Sequence, residues 1–259
     1  MLRRSRILGL PLLICVSVAF GVYAAAGFAS VLAFVVGNLL ILKVYSAYRP
    51  GFVIRKKVVG DMLHYSSGNY IANIFATLPN FILPLLVVNV LGAEMNAYFY
   101  VAWAIAFMLS AIPLAVSRSL LAEGSHSPDR LRMDVIRSLK FIFVLLIPAI
   151  VFVFVFGRYV LLLFGAEYAE NSFGVLVVLC VTSLPYAVNA VYTAVKRVRG
   201  EVGAVIWVYG VVAVVTIVGG YLLMGGYGVI GPGYAGLVGN GVVAGGVGIT
   251  LWRKNVNNL

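Results

Sequence analysis

Charge is what this chain lacks most. Only 10% of its 259 residues are Asp, Glu, Lys or Arg, while 63% are hydrophobic. A soluble globular domain carries about a quarter charged residues. A water-soluble enzyme, a disordered chain and a secreted disulfide scaffold are therefore excluded. Cysteine is almost absent: Cys15 and Cys180 lie far apart in apolar stretches and offer neither a disulfide framework nor metal-ligand spacing. The two histidines, His64 and His126, have no ligand partner at a suitable spacing. Acidic side chains number 8 against 19 basic ones, and Asp61, Glu94, Glu123 and Glu201 all fall at the ends of apolar runs or in loops. A membrane-embedded transferase would need metal-binding or general-base carboxylates, and no nucleotide-binding fingerprint occurs. The sequence thus predicts no catalytic residue, no metal and no cofactor.

What is present is apolar length. Six stretches carry no Asp, Glu, Lys or Arg: Ile7 to Leu42, Met62 to Ala93, Met95 to Ser117, Phe141 to Gly157, Asn171 to Val195 and Val202 to Trp252. A helix needs about 20 apolar residues to cross the hydrocarbon core. Four stretches fit one crossing each, and two are long enough for a pair. The first pair turns near Ala24-Ala25-Ala26-Gly27, the second at Gly225-Gly226-Tyr227-Gly228 and Gly231-Pro232-Gly233. The expectation is an all-α integral membrane protein with eight crossings near 7–25, 27–45, 63–91, 97–119, 138–157, 173–195, 203–223 and 231–252. A β-barrel needs alternating strands of about ten residues, and runs such as Phe141 to Ile147 do not alternate. The first apolar run continues well beyond the short core of a signal peptide, so residues 7–25 read as a retained anchor.

The basic residues orient the array. With the N-terminus in the cytoplasm, 18 of the 19 Lys and Arg fall on the inner side, and only Arg158 faces out. Positive residues in short loops favour the cytoplasmic side, so both termini are expected there. Topology and contact with anionic membrane lipids account for the charge, and no nucleic-acid partner is expected. The apolar hexamer Tyr159 to Phe164 reads as an interfacial segment, and Arg130 to Lys140 as either a helical extension of the fifth crossing or a solvated loop.

Polar groups in lipid are costly and turn toward a bundle interior or a wet cavity. Ser66, Asn69, Asn73, Thr77 and Asn80 are spaced 3, 4, 4 and 3, one stripe of a helix. Thr182, Pro185, Asn189, Tyr192 and Lys196 form a second stripe, followed by Arg197 and Arg199. Amides and an aromatic leading to a cationic mouth suit a sugar bearing a phosphate. Arg118 can meet an anion or pair with Glu123, and Gly241 and Gly245, four apart, are expected to admit a close helix neighbour.

Several blocks carry a family resemblance. Leu91-Gly92-Ala93-Glu94, Tyr98 to Trp103, Ile112 to His126, Leu163 to Ala169 and Leu184 to Ala190 resemble the polysaccharide biosynthesis, or oligosaccharide flippase, family. The resemblance implies the multidrug/oligosaccharidyl-lipid/polysaccharide exporter superfamily, whose members have two six-helix lobes. It implies a non-enzymatic plasma-membrane transporter that moves lipid-linked oligosaccharide outward. Residues 1–47 would then be a hairpin remaining from a first lobe, 48–62 a basic cytoplasmic linker, and 63–259 a six-helix second lobe. Asn69, Asn73, Asn80, Asn189 and Tyr192 would bind sugar, and Arg118, Lys196 and Arg197 the phosphate. Four helices of the two-lobed plan are missing, which implies a truncated chain that works with a missing N-terminal lobe or a second subunit. A drug or cation antiporter of the same superfamily and a non-transporting partner subunit are the alternatives.

Overall fold

A computed structural model describes residues 20, 21, 23, 24, 27–37, 39, 43, 56–126 and 130–256. The chain divides into two compact units, Met1–Lys56 and Lys57–Leu259. In the first unit the described residues are helical, with one apolar helix, α1 (Gly27–Gly37), inside the second expected crossing. Most of the first expected crossing, 7–25, lies outside the described residues, as do Ala25 and Ala26 of the turn after it.

Among the described residues the second unit holds six long helices, and the expected count of eight crossings rests on the first unit. The six are α2 (Lys56–Leu91), α3 (Ala93–His126), α4 (Leu131–Leu162), α6 (Phe173–Val198), α7 (Val202–Tyr227) and α8 (Gly231–Val256). A short helix, α5 (Ala166–Asn171), precedes α6, and a 3-10 turn, Gly228–Ile230, separates α7 from α8. No strand occurs among the described residues. The apolar stretch Val202–Ile249 is therefore two helices, broken within the glycine-rich region where the sequence places a turn. The helices outrun the expected crossings. α2 has 36 residues and starts at Lys56, and α4 has 32 and absorbs both Leu131 to Lys140 and most of the Tyr159 to Phe164 hexamer. At 1.5 Å per residue α2 is about 54 Å long, so its ends lie beyond the hydrocarbon. Of the hexamer, Tyr159 to Leu162 continue α4, with Leu161 fully buried in the core and Leu163 beyond it 84% exposed.

Two junctions explain the tight succession. Gly92 joins α2 to α3 alone, at φ +95°, a conformation that favours glycine. At the end of α6, Gly200 has φ +71°. Its N–H bonds to Arg197 O at 3.1 Å, and the N–H of Glu201 bonds to Lys196 O at 2.9 Å. This paired closure satisfies carbonyls that the last turn would otherwise leave open.

Glycine neighbours reveal the helix directions. Gly68 faces Val202 and Ile206, Gly210 faces Phe75, and Gly220 faces Leu83, so α2 and α7 run parallel. Gly219 faces Ala235 and Gly239 faces Val212 and Thr216, so α7 and α8 run antiparallel. These directions are those of helices that cross a layer in alternation. Helix α6 is the central member: it packs on α3, α4, α7 and α8, and 44% of its most apolar stretch is buried, against 17% for α4. Phe141, Val144, Phe152, Phe154 and Phe156 of α4 are all exposed. That surface suits lipid, since the cost of exposing it to water would be large.

The expected seam at Gly241 and Gly245 is not used. Nothing lies within 4 Å of a Cβ placed on either. Gly236 and Gly239 face α7 instead, and a Cβ on Gly239 would stand 3.1 Å from Thr216 Oγ1 and 3.4 Å from Val212 O. The close approach therefore falls at a different register of α8, where Gly219 and Gly220 of α7 meet Ala235 and Pro232 a turn before Gly236 and Gly239.

Candidate functional site

Two apolar clusters hold the lobe together at opposite ends. One joins Leu83 and Val87 of α2, Phe99 and Ala102 of α3 and Val175 and Leu176 of α6. The other joins Leu120 of α3, Ile142 and Leu146 of α4 and Ala187 and Val191 of α6. A cavity of about 420 Å³ opens between α2, α3, α6, α7 and α8. That volume lies within the range of small-molecule sites.

Its wall is polar on every contributing helix. Helix α2 supplies Asn73, Thr77 and Asn80, and α3 supplies Ser110, Ser117 and Arg118. Helix α6 supplies Thr182, Ser183, Tyr186, Asn189, Thr193 and Arg197. Tyr209 and Thr216 come from α7 and Asn240 from α8, while Trp103 and Phe107, whose rings stack at 5.3 Å, add an aromatic side. Arg118 and Arg197 are the charged residues of the wall, and neither has a carboxylate partner among the described residues. The expected alternative partner of Arg118, Glu123, forms no ion pair with it. Among the described residues no three His, Cys, Asp or Glu side chains gather where they could hold a metal.

Of the eight side chains expected at the site, five line this cavity: Asn73, Asn80, Arg118, Asn189 and Arg197. Asn69 stands at its edge. Its Oδ1 accepts a hydrogen bond from Arg197 Nε at 3.1 Å, and its Nδ2 donates to Tyr65 O at 2.9 Å. Tyr192 and Lys196 are off the wall. Tyr192 packs against the cluster of Val208, Val243 and Val247, and Lys196 pairs with Glu201. The cavity-facing stripe of α6 is thus 182, 186, 189, 193 and 197, one residue displaced at three positions from the expected one. One residue is about 100° of rotation, enough to exchange Lys196 for Arg197.

The Arg197 guanidinium is held from two sides. Besides Asn69 of α2, the ring of Tyr209 on α7 lies 5.8 Å from its guanidinium, and Tyr209 Oη is 3.2 Å from Thr193 Oγ1. A guanidinium so placed keeps donors free for an anion, and its planar fork matches phosphate. Deeper in the wall, Asn189 Nδ2 donates to Asn240 O at 3.1 Å and Asn240 Nδ2 donates to Gly236 O at 3.0 Å. Three wall side chains nevertheless hold buried polar atoms with no protein partner: Ser117 Oγ, Asn189 Oδ1 and Thr216 Oγ1. Each such atom costs about 1–3 kcal/mol unless a water or a bound molecule partners it.

Sequence reasoning missed Thr193, Tyr209, Thr216 and Asn240. Thr193 is one position from the expected stripe. Thr216 and Asn240 are isolated polar residues in long apolar helices, and that isolation was the available signal.

Comparisons with known proteins agree with this architecture. A curated Shigella flexneri protein described as "Putative O-antigen transporter" is 24% identical over 168 residues, covering 60% of this chain and 40% of its own length. A crystallised MATE protein matches with TM-score 0.72 and 20% identity, over 93% of this chain and 58% of that one. A MOP superfamily transporter from Pyrococcus furiosus matches with TM-score 0.64 and 18% identity, over 75% and 45%. At such identities the likeness is one of fold, a transporter fold of long apolar helices. The chain spans 40% of the length of the curated relative and 45–58% of the two solved chains. The sequence pattern of the family described as "Polysaccharide biosynthesis protein" matches residues 6–172. The chain is a multi-pass membrane protein that belongs to this polysaccharide biosynthesis family.

Proposed function

We propose that this chain provides the substrate-binding lobe of a flippase for lipid-linked oligosaccharide in polysaccharide biosynthesis. The observation that carries the reading is the pairing of Arg118 and Arg197 with amide-bearing helices around one cavity. The arginines attract the phosphate groups of the lipid carrier, and Asn73, Asn80 and Asn189 bond to sugar hydroxyls. Asn69 acts by holding Arg197 in place. The residues 63–259 act as one lobe, and a second lobe closes the cavity from the other side. The protein works in the plasma membrane with both termini in the cytoplasm, an orientation supported by the placement of its basic residues.

The charge of the wall separates this reading from a drug or cation antiporter. Among the described residues the wall carries two guanidinium groups and no carboxylate. An organic cation would meet repulsion there, whereas a phosphorylated lipid is attracted. The test is Arg118→Glu in cells that depend on this protein for surface glycan. Export is expected to fall at least ten-fold, with protein levels unchanged. Full export from the charge-reversed protein would overturn the assignment.

A further inference from the structure

One amide of the cavity wall is held with its acceptor end unpartnered. Asn189 is 2% exposed, and its orientation is fixed by its neighbours. Its Nδ2 faces the backbone oxygen of Asn240 at 3.1 Å and the side-chain Oδ1 of Asn240 at 3.3 Å. A backbone carbonyl only accepts, so the amide of Asn189 has to present its nitrogen there. Asn240 is fixed in the same way by the carbonyl of Gly236, 3.0 Å from its Nδ2. What Asn189 has left is its Oδ1, an acceptor with no protein partner. Thr216, 5% exposed, has an equally unpartnered Oγ1. It lies against Gly236 and Gly239 of α8, the helix that carries Asn240, and lines the same cavity as Asn189. Arg197, the nearest donor-rich group on the same face of α6, lies eight residues further on, about 12 Å along the helix.

We propose that Asn189 and Thr216 form a subsite for a hydrogen-bond donor carried by the transported molecule, a saccharide hydroxyl or an acylamino N–H. The inference rests on the functional reading above and adds a direction to it. The bare Oδ1 of Asn189 repels phosphate oxygen, lone pair against lone pair, while the Thr216 hydroxyl both accepts and donates, so the amide gives the subsite its direction and the anionic group is left to Arg118 and Arg197. The donor subsite reads the saccharide portion beside that group. Asn240 is a positioning residue: it touches no ligand but decides which end of the Asn189 amide is offered.

The test compares two probes on the chain in lipid nanodiscs, undecaprenyl diphosphate and undecaprenyl diphospho-N-acetylglucosamine. The unsubstituted chain is expected to hold the sugar-bearing lipid about five-fold more tightly, the value of a well-made hydrogen bond. Thr216→Val keeps the shape and removes an unpartnered hydroxyl. It is expected to leave the melting temperature unchanged or raised while reducing the preference. Asn189→Leu is expected to abolish the preference without weakening the bare diphosphate. Arg118→Gln is expected to weaken both lipids equally. A preference that survives both Thr216→Val and Asn189→Leu overturns the subsite and leaves the flippase reading standing. Failure of the unsubstituted chain to hold either lipid overturns that reading, and the subsite with it.

Discussion

Arg197 Nε donates to Asn69 Oδ1 at 3.1 Å, joining the C-terminal turn of α6 to the first half of α2 across 128 residues of sequence. The bond closes one end of the cavity wall and holds the guanidinium against its rim. Asn69→Leu is expected to destabilise the lobe by about 1 kcal/mol and to weaken phosphate-lipid binding less than Arg197→Gln does. Unfolding in detergent and binding of undecaprenyl diphosphate measure the two effects. Equal binding losses would mean that Arg197 acts only through Asn69.

Neighbouring cations are expected to behave differently. Lys196 pairs with Glu201 outside the cavity, while Arg197 faces into it. An ion pair with one partner well exposed is worth little. Lys196→Met should therefore leave glycan export within about two-fold, and Arg197→Met should reduce it at least ten-fold, in cells with matched protein levels. An equal effect of the two substitutions would place the lysine in the wall after all.

The glycines of α8 separate in the same manner. Ala favours a helix over Gly by about 1 kcal/mol, so Gly245→Ala, with nothing within 4 Å of the new Cβ, is expected to raise the melting temperature slightly. Gly231→Ala places its Cβ 2.7 Å from Leu223 C and 2.8 Å from Met224 N, both backbone atoms that cannot yield cheaply. It is expected to lower the melting temperature by several degrees. A stabilising Gly231→Ala would show that the α7–α8 turn is looser than described.

Water access distinguishes wall from lipid surface on α2 itself. With the native cysteines replaced by Ala, Asn73→Cys should react with a charged thiol reagent, because Asn73 lines the cavity. Phe81→Cys, on a side chain 71% exposed but off the cavity wall, should stay unreactive within the bilayer. The reverse pattern would remove the cavity.

The legible parts of the sequence were those with a repeated signal. Charge-free length marked the six long helices, and three polar positions on one 3.6-residue stripe marked the cavity face of α2 at Asn73, Thr77 and Asn80. On α6 the sequence pointed to a stripe through Pro185, Tyr192 and Lys196, whereas the wall runs through Tyr186, Thr193 and Arg197, and the two stripes share only Thr182 and Asn189. The choice between Lys196 and Arg197 is made by the partners each one finds, Glu201 on one side and Asn69 with Tyr209 on the other. On α7 and α8 a single polar residue has no period, so Asn240 became a site residue only through its bond to Asn189, and Thr216 only through its place in the cavity wall. Helix ends were underestimated because charged residues such as Arg132 and Arg137 continue a helix past the membrane as readily as they end an apolar run.

The single-residue junction at Gly92 acts as a rivet. Two rods linked by one residue cannot part there, since adjacent Cα atoms stay about 3.8 Å apart. A rigid-body widening of the gap between α2 and α3 would swing from that pivot, like tongs, and grow toward the far halves of the two helices, where Tyr65, Asn69 and Arg118 stand. A bulky headgroup slipping between these two helices would therefore pass the guanidinium tip first.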